Sequence, residues 1–145
     1  MTLDRSFVER NRAETERLRS LVARLSDDDL NRPVGEHWVV ATALAHLAFW
    51  DRRVLSILDA SEREGKVVAP TLDIAVNDIS LPLWRAIQPR EAARIALETA
   101  EEIDRRLENF PPDLLEQIGA VNERYLLRAN HRKLHLDELE QVLKS

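Results

Sequence analysis

The residues best suited to chemistry in this sequence are its four histidines. His131 and His135 stand four residues apart in the stretch NHRKLHLDELE, which has the character of a helix near the C-terminus. At this spacing on a helix the Cβ atoms lie about 5–6 Å apart, so both imidazoles can reach one metal ion. The pair alone fits two ordinary core histidines equally well, so the interpretation depends on whether a third ligand exists.

A third histidine shares the required pattern. With successive residues about 100° apart around a helix axis, His46 falls on an apolar face of an earlier helix. That face also holds Val39, Ala43, Trp50, Val54 and Ile57. The same construction places His131 and His135 near the middle of an arc with Leu127, Leu134, Leu139 and Val142. The fourth histidine, His37, lies in a connector and is predicted to be peripheral.

Three imidazoles on buried faces need partners. A buried polar group without a hydrogen bond costs about 1–3 kcal/mol, and one divalent ion would satisfy all three rings. Three histidines with open coordination positions form a typical catalytic metal site. The pattern therefore predicts a site of His46, His131 and His135, with separately hydrogen-bonded core histidines as the alternative.

Composition limits the chemistry further. The 145-residue chain has no cysteine, which excludes thiolate ligands and a cysteine nucleophile. Arg132 stands where a metalloprotease of the H-E-x-x-H type has its glutamate, so that class is disfavoured. A net charge of -5 argues against nucleic acid as a partner. The N-terminus shows no signal peptide and no apolar run could span a bilayer, so a cytoplasmic protein without membrane contact is predicted.

The elements that must position these residues are predicted to be helices, since apolar residues recur at helical spacing. Four long helices are predicted, at about 3–25, 38–64, 89–109 and 122–143. Ser26 is a candidate N-cap for a short turn, and Gly65 ends the second helix. A looser connector, bounded by Pro70 and Pro82, leads to a short helix over LWRAIQ. The fold class is therefore all-α, a single four-helix-bundle domain over residues 1–145 with a long connector between helices 2 and 3.

Two stretches carry a resemblance to a known superfamily. RPVGEHWVVATALAHLAFWDRRVL resembles the second-helix signature of the DinB-like superfamily, and RANHRKLHLDELEQVL resembles its last helix. DIAVNDISLPLWRAIQPREA is similar to the middle segment. The superfamily includes the maleylpyruvate isomerase N-terminal domain and the mycothiol- and bacillithiol-dependent transferases.

The resemblance implies a four-helix bundle in which His46, His131 and His135 hold a metal. Imidazole suits zinc, nickel, copper and iron alike, and a divalent ion, zinc or nickel, is the one expected here. It also implies a thiol-dependent S-transferase or isomerase that uses a low-molecular-weight thiol cosubstrate. Longer members of the superfamily carry a further C-terminal domain.

Three residues are candidates for a pocket beside the metal. Arg128 lies one turn before His131 and could bind an anionic group, or it could rest at the bundle rim with its guanidinium in solvent. Trp50 shares the His46 face and could line the pocket or simply pack in the core. The resemblance places Asn77 near the pocket mouth, although Asn is also a common turn residue.

The ligand set does not choose between functions. A metal-dependent transferase or isomerase acting on a small-molecule substrate is the first hypothesis. A non-catalytic helical module, which binds a ligand or forms a homodimer and has a structural metal or none, is the second. A metal-dependent hydrolase, active without thiol, is the third.

Overall fold

The computed structural model describes residues 3–144. Seven α-helices occur in that range: α1 (Phe7–Arg24), α2 (Asp27–Leu30), α3 (Val40–Glu64), α4 (Val76–Ala86), α5 (Pro89–Asn109), α6 (Pro112–Val121) and α7 (Ala129–Lys144). One turn of 3₁₀ helix (Glu123–Tyr125) lies before α7, and two short strands, β1 (Pro33–Val34) and β2 (Trp38–Val39), pair antiparallel. The all-α prediction is confirmed, whereas the extent of the domain stays a prediction.

Local signals explain the start of α3, the helix that carries His46. Ser26 and Asp29 form a capping box, in which each side chain accepts a hydrogen bond of 3.0 Å from the other residue's backbone N–H. Gly35 turns the following hairpin with a φ of 69°, a conformation that favours glycine. This hairpin delivers Trp38 and Val39 directly to the first turn of α3.

The four long helices pack around a common interior. Helix α3 packs against α5, and α1 packs against both α5 and α7. The last helix also touches α3, which brings the two helices that carry the candidate ligands into contact.

The interior is divided into two apolar clusters with a polar layer between them. The first cluster contains Leu21, Leu44, Ala96, Leu136 and Leu139 among others. The second contains Phe7, Val54, Leu58, Ile103 and Leu107 among others. The buried polar residues Asn11, Thr15, Asp51, Asp104 and Arg132 fall between these clusters along the helices. The histidines lie at the edge of the first cluster, beside this layer.

Helix α4 is longer than the sequence indicated. Pro82 was expected to bound an irregular connector, yet α4 runs through it from Val76 to Ala86. A proline in a helix removes one backbone hydrogen bond, here to the carbonyl group of Asp78. Both residues are exposed, so water can serve that carbonyl group. The expected loop therefore contains a helix that covers the histidines.

The predicted start of the fourth helix, at about residue 122, was also wrong. Residues 122–128 form a 3₁₀ turn and a short connection, and α7 begins only at Ala129. The preceding α6, which follows Pro111 and begins at Pro112, was not predicted as a helix. Its N-terminal Pro112 suits a first helical turn, since that position needs no N–H donor. No helix in the part of the chain described is long and apolar enough to cross a membrane.

Candidate metal centre

The structure brings the three predicted ligands together. His46 projects from the second turn of α3, and His131 and His135 project from α7. The Nε2 atoms of His46 and His131 are 3.0 Å apart. One ligand nitrogen from each of the three histidines can be chosen so that all lie within 4.8 Å of one another. This is a group that could hold a metal ion.

The depth of the three rings differs from the sequence prediction. His46 is buried, with 4% of its surface exposed, but His131 and His135 are only half-buried. Leu134, which was placed in the buried arc, is 58% exposed. The deepest residues of α7 are instead Arg132, Leu136 and Leu139, because α7 packs mainly on α1. The two histidines therefore lie along the edge of the buried face, on the side of α3.

All three imidazoles are neutral at pH 7. Burial lowers the pKa of His46 from 6.5 to about 3 and that of His131 to about 2. Burial also lowers the pKa of His135, while Glu138, with an oxygen 3.4 Å from its Nδ1, works in the opposite direction. Neutral imidazole is the form that binds metals.

The donor set fits a divalent metal. Nitrogen ligands at the usual zinc distance of about 2.0–2.1 Å in tetrahedral geometry are roughly 3.3 Å apart, close to the observed 3.0 Å between His46 and His131. In addition, the buried Nδ1 of His46 has no hydrogen-bond partner. A metal ion is one group that could satisfy this orphaned nitrogen, since neutral imidazole binds metals through either ring nitrogen.

Aromatic side chains enclose the His46 ring. The chain's three tryptophans all lie near it, with ring centroids at 4.8 Å for Trp38, 5.3 Å for Trp84 and 6.5 Å for Trp50. Trp38 also stacks on His135 at 6.1 Å. These rings exclude water from one side of the site, and their fluorescence should respond to binding there.

Asn77 and Trp50 are joined at the same place. Asn77 lies in the first turn of α4 rather than in a loop, and its Oδ1 accepts a hydrogen bond of 2.8 Å from Trp50 Nε1. The Asn77 amide also interacts with His46, where it partly offsets the lowering of that histidine's pKa. Both pocket candidates therefore lie beside the histidines, and α4 is the element that holds Asn77 there.

A buried ion-pair network adjoins the histidines, and it was not predicted from the sequence. Arg132, 1% exposed, donates from Nη1 to Asp104 at 3.0 Å and from Nη2 to Asp51 at 3.3 Å. The same Nη1 donates to Thr15 Oγ1 at 2.9 Å and to the Asn11 carbonyl oxygen at 3.1 Å. One side chain on α7 thus reaches α1, α3 and α5. It belongs to the polar layer between the apolar clusters.

Arg128 belongs to this network too. It is 6% exposed, so its guanidinium does not extend into solvent at the rim. Its Nε donates to Asp51 Oδ1 at 2.9 Å, and its Nη1 donates to the Arg124 carbonyl oxygen at 3.1 Å. Its positive charge lies close enough to lower the pKa of His131 and of His46. Asp51 is buried as the shared acceptor of two arginines.

A sequence signal for the network did exist. Arg132 precedes Leu136 and Leu139 at spacings of four and seven, which puts it on the buried face of α7. Asp104 sits in a similar stripe with Ala100 and Leu107. Opposite charges inside apolar stripes of different helices are the pattern that predicts a buried ion pair.

Two surface clefts lie away from the histidines. One, with a volume of about 290 Å³, is lined by Glu62, Glu102, Arg105, Arg106, Asn109 and Phe110. The other, about 140 Å³, lies over Thr15 and Asp104. Neither cleft is lined by side chains that converge on one point as the three histidines do. The histidine group, and not either cleft, is therefore the candidate site.

The helical fold and the three histidines together define an all-α protein with a candidate metal centre. The family model for the mycothiol maleylpyruvate isomerase N-terminal domain matches residues 11–120, and the chain belongs to this family, within the DinB-like superfamily. The match includes His46 and ends before His131 and His135. No curated protein and no solved structure matches the chain.

The stability of the metal-free protein should depend on pH through these histidines. Their pKa values are lower in the folded than in the unfolded state, so the unfolded chain binds more protons as the pH falls below 6.5. The free energy of unfolding should therefore decrease from pH 7 to pH 5, by up to about 1.4 kcal/mol per pH unit for each histidine. Urea unfolding in the presence of a chelator measures this slope. His131→Leu should reduce the slope and the exposed His37→Ala should not; equal slopes in wild type and His131→Leu would refute the assignment.

Proposed function

We propose that this protein is a DinB-like four-helix bundle whose His46, His131 and His135 bind zinc or nickel. We propose further that it acts as a thiol-dependent S-transferase or isomerase on a small-molecule substrate in the cytoplasm. The observation that carries the proposal is the convergence of three neutral imidazole nitrogens within 4.8 Å, two of them 3.0 Å apart. Membership of a family named for a mycothiol-dependent isomerase supports the thiol.

The bound metal would supply a Lewis acid that favours the thiolate form of a thiol. The protein has no cysteine, so the thiol must come from a cosubstrate. The chain's own residues would position the reactants and exclude water. His46, His131 and His135 leave at least one coordination position open, and Trp38 and Trp84 cover the ligand rings on one side.

The remaining pocket candidates orient the site. Trp50 on α3 donates to Asn77 on α4, and this hydrogen bond ties α4 to the ligand helix α3. Loss of this contact would free the first turn of α4 beside the metal. In the proposed mechanism these two side chains position His46 and border the substrate.

The proposal is tested with the full chain loaded with zinc or nickel and given mycothiol and maleylpyruvate, the compounds that the family name contains. We expect thiol-dependent conversion that disappears on chelation and returns on adding metal back. Turnover that needs metal but no thiol would favour the hydrolase alternative. Protein that stays folded and metal-free, and refuses added zinc and nickel, would overturn the proposal.

A second candidate function has one observation in its favour. Ile74, Ile79 and Leu83, on and just before α4, are 71–76% exposed, and Leu72 is 40% exposed. Such exposed apolar side chains are typical of interaction surfaces. A non-catalytic module that forms a homodimer through this surface, with a structural metal or none, would show metal-dependent stability, no turnover and a dimer in solution.

A further inference from the structure

A carboxylate lies beside one of the three candidate metal ligands. Glu138 follows His135 by three residues on α7, and side chains at this spacing are neighbours on the surface of a helix. The Oε1 atom of Glu138 is 3.4 Å from Nδ1 of His135. Among the described residues, neither His46 nor His131 has a carboxylate oxygen within 4.0 Å of a ring nitrogen. His135 is therefore the one candidate ligand whose ring is within reach of a carboxylate.

The other acidic side chains in this part of α7 have different partners. Asp137 pairs with Arg17 and Lys133, and Glu140 also pairs with Arg17. The pairs with Arg17 join α7 to α1. No arginine or lysine in the described part of the chain pairs with Glu138. The carboxylate of Glu138 thus serves the ring of the histidine and not the junction between the helices.

The position of this carboxylate bears on which nitrogen of His135 binds a metal. When Nδ1 carries the proton and donates it to a carboxylate, Nε2 is unprotonated and is the nitrogen available to an ion. The separation of 3.4 Å slightly exceeds the usual N–H···O distance of about 2.7–3.2 Å. With 49% of its side chain exposed, Glu138 has room to close this gap. The positive charge of a bound ion would make Nδ1–H a stronger donor and favour the closer approach.

We propose that Glu138 is a positioning residue of the metal centre, whose carboxylate accepts a hydrogen bond from His135 Nδ1 and thereby directs Nε2 to the ion. The inference rests on the proposed metal site and adds a residue to the three ligands. A carboxylate behind a metal-bound imidazole fixes the orientation of the ring and strengthens its bond to the metal. His135 is only half-buried, so this contact holds a ring that packing alone does not fix.

The first test measures the zinc affinity of the full chain by competition with a chromophoric chelator. Glu138→Ala should bind zinc at least about tenfold more weakly than wild type, since loss of such a partner typically costs roughly 10–100-fold. Glu138→Gln keeps an acceptor oxygen and should recover most of this loss. The matched control is Asp137→Ala, which removes a carboxylate with 48% of its side chain exposed. Its zinc affinity should stay within about twofold of wild type, because solvent screens a charge that does not contact a ligand.

The second test reads the position of the proton on the ring. In metal-free protein at pH 7, NMR of the isotope-labelled imidazole nitrogens distinguishes the two neutral tautomers of His135. Wild type should carry the proton mainly on Nδ1, and Glu138→Ala should shift it toward Nε2. Glu138→Gln should keep the wild-type tautomer. A general effect of Glu138 on the stability of α7 would not move this proton.

The outcomes separate the inference from the metal site on which it rests. An unchanged zinc affinity or tautomer in Glu138→Ala, or an equal loss of affinity in Asp137→Ala, would overturn the role of Glu138 and leave the three-histidine site intact. Zinc-loaded wild type in which His135 binds through Nδ1 would also overturn it, because that nitrogen would have no proton to donate. Wild type that binds no zinc would overturn the proposed metal site together with this inference.

Discussion

Replacement of His131 by alanine is expected to lower the affinity for zinc by more than about 100-fold. Loss of residues that only support a metal ligand already costs roughly 10–100-fold, and removal of a ligand itself should cost more. His131 supplies the nitrogen 3.0 Å from that of His46, so its loss removes the closest pair of donors. Competition with a chromophoric chelator measures the affinity directly, and tryptophan fluorescence reports the same event because Trp38 and Trp84 contact the ligand rings.

Thermodynamic linkage provides an independent measure. Zinc at about 100 times its dissociation constant should raise the free energy of unfolding of wild type by ~2.7 kcal/mol, and this increment should vanish in His131→Ala. The matched control is His37→Ala, which removes an imidazole with 74% of its side chain exposed and should change neither quantity. An unaltered zinc affinity in His131→Ala would disprove the metal site.

Replacement of Arg132 by methionine should be the most destabilising change to the ion-pair network. Arg132 is the common partner of Asp51 and Asp104, both 2% exposed. Removal of one partner from a buried pair typically costs about 3–5 kcal/mol, since the remaining charge stays buried without compensation. Urea unfolding at pH 7 measures the loss, and the metal-free state should be used so that zinc binding does not contribute.

Two further variants define the origin of this loss. Arg94→Met breaks exposed ion pairs with Glu91 and Glu98 and should cost no more than about 1 kcal/mol. Adding Asp104→Asn to Arg132→Met removes one stranded charge and should recover part of the stability. A loss below 1 kcal/mol for Arg132→Met would mean that the network does not stabilise the fold.

The sequence predicted the helices and their caps well where the signals are local. Gly65, with a φ of 69°, ends α3 where expected, and Ser26 caps α2. The prediction from the sequence failed at Pro82. This proline was expected to bound the connector, whereas the exposed helix α4 accommodates it. The prediction also failed at the start of α7, where apolar residues continue at helical spacing through a segment that turns.

The candidate ligands were predictable because helical spacing decides which face a residue occupies. His46, His131 and His135 each carry that information within a few neighbouring residues. Their convergence in the structure agrees with the pattern. How deeply each ring is buried was not predictable, since it depends on which helix packs against which side of α7.

The amino-acid sequence by itself determined the helical class and the three histidines that share apolar faces, because both follow from periodicity and residue type along the chain. The family followed from the resemblance of two motifs. Only the tertiary structure decided that Arg132 joins α7 to the three other long helices and that Arg128 is buried in an ion pair with Asp51. Those relations join residues as many as 121 positions apart. Their geometry depends on how whole helices pack, which no local spacing encodes.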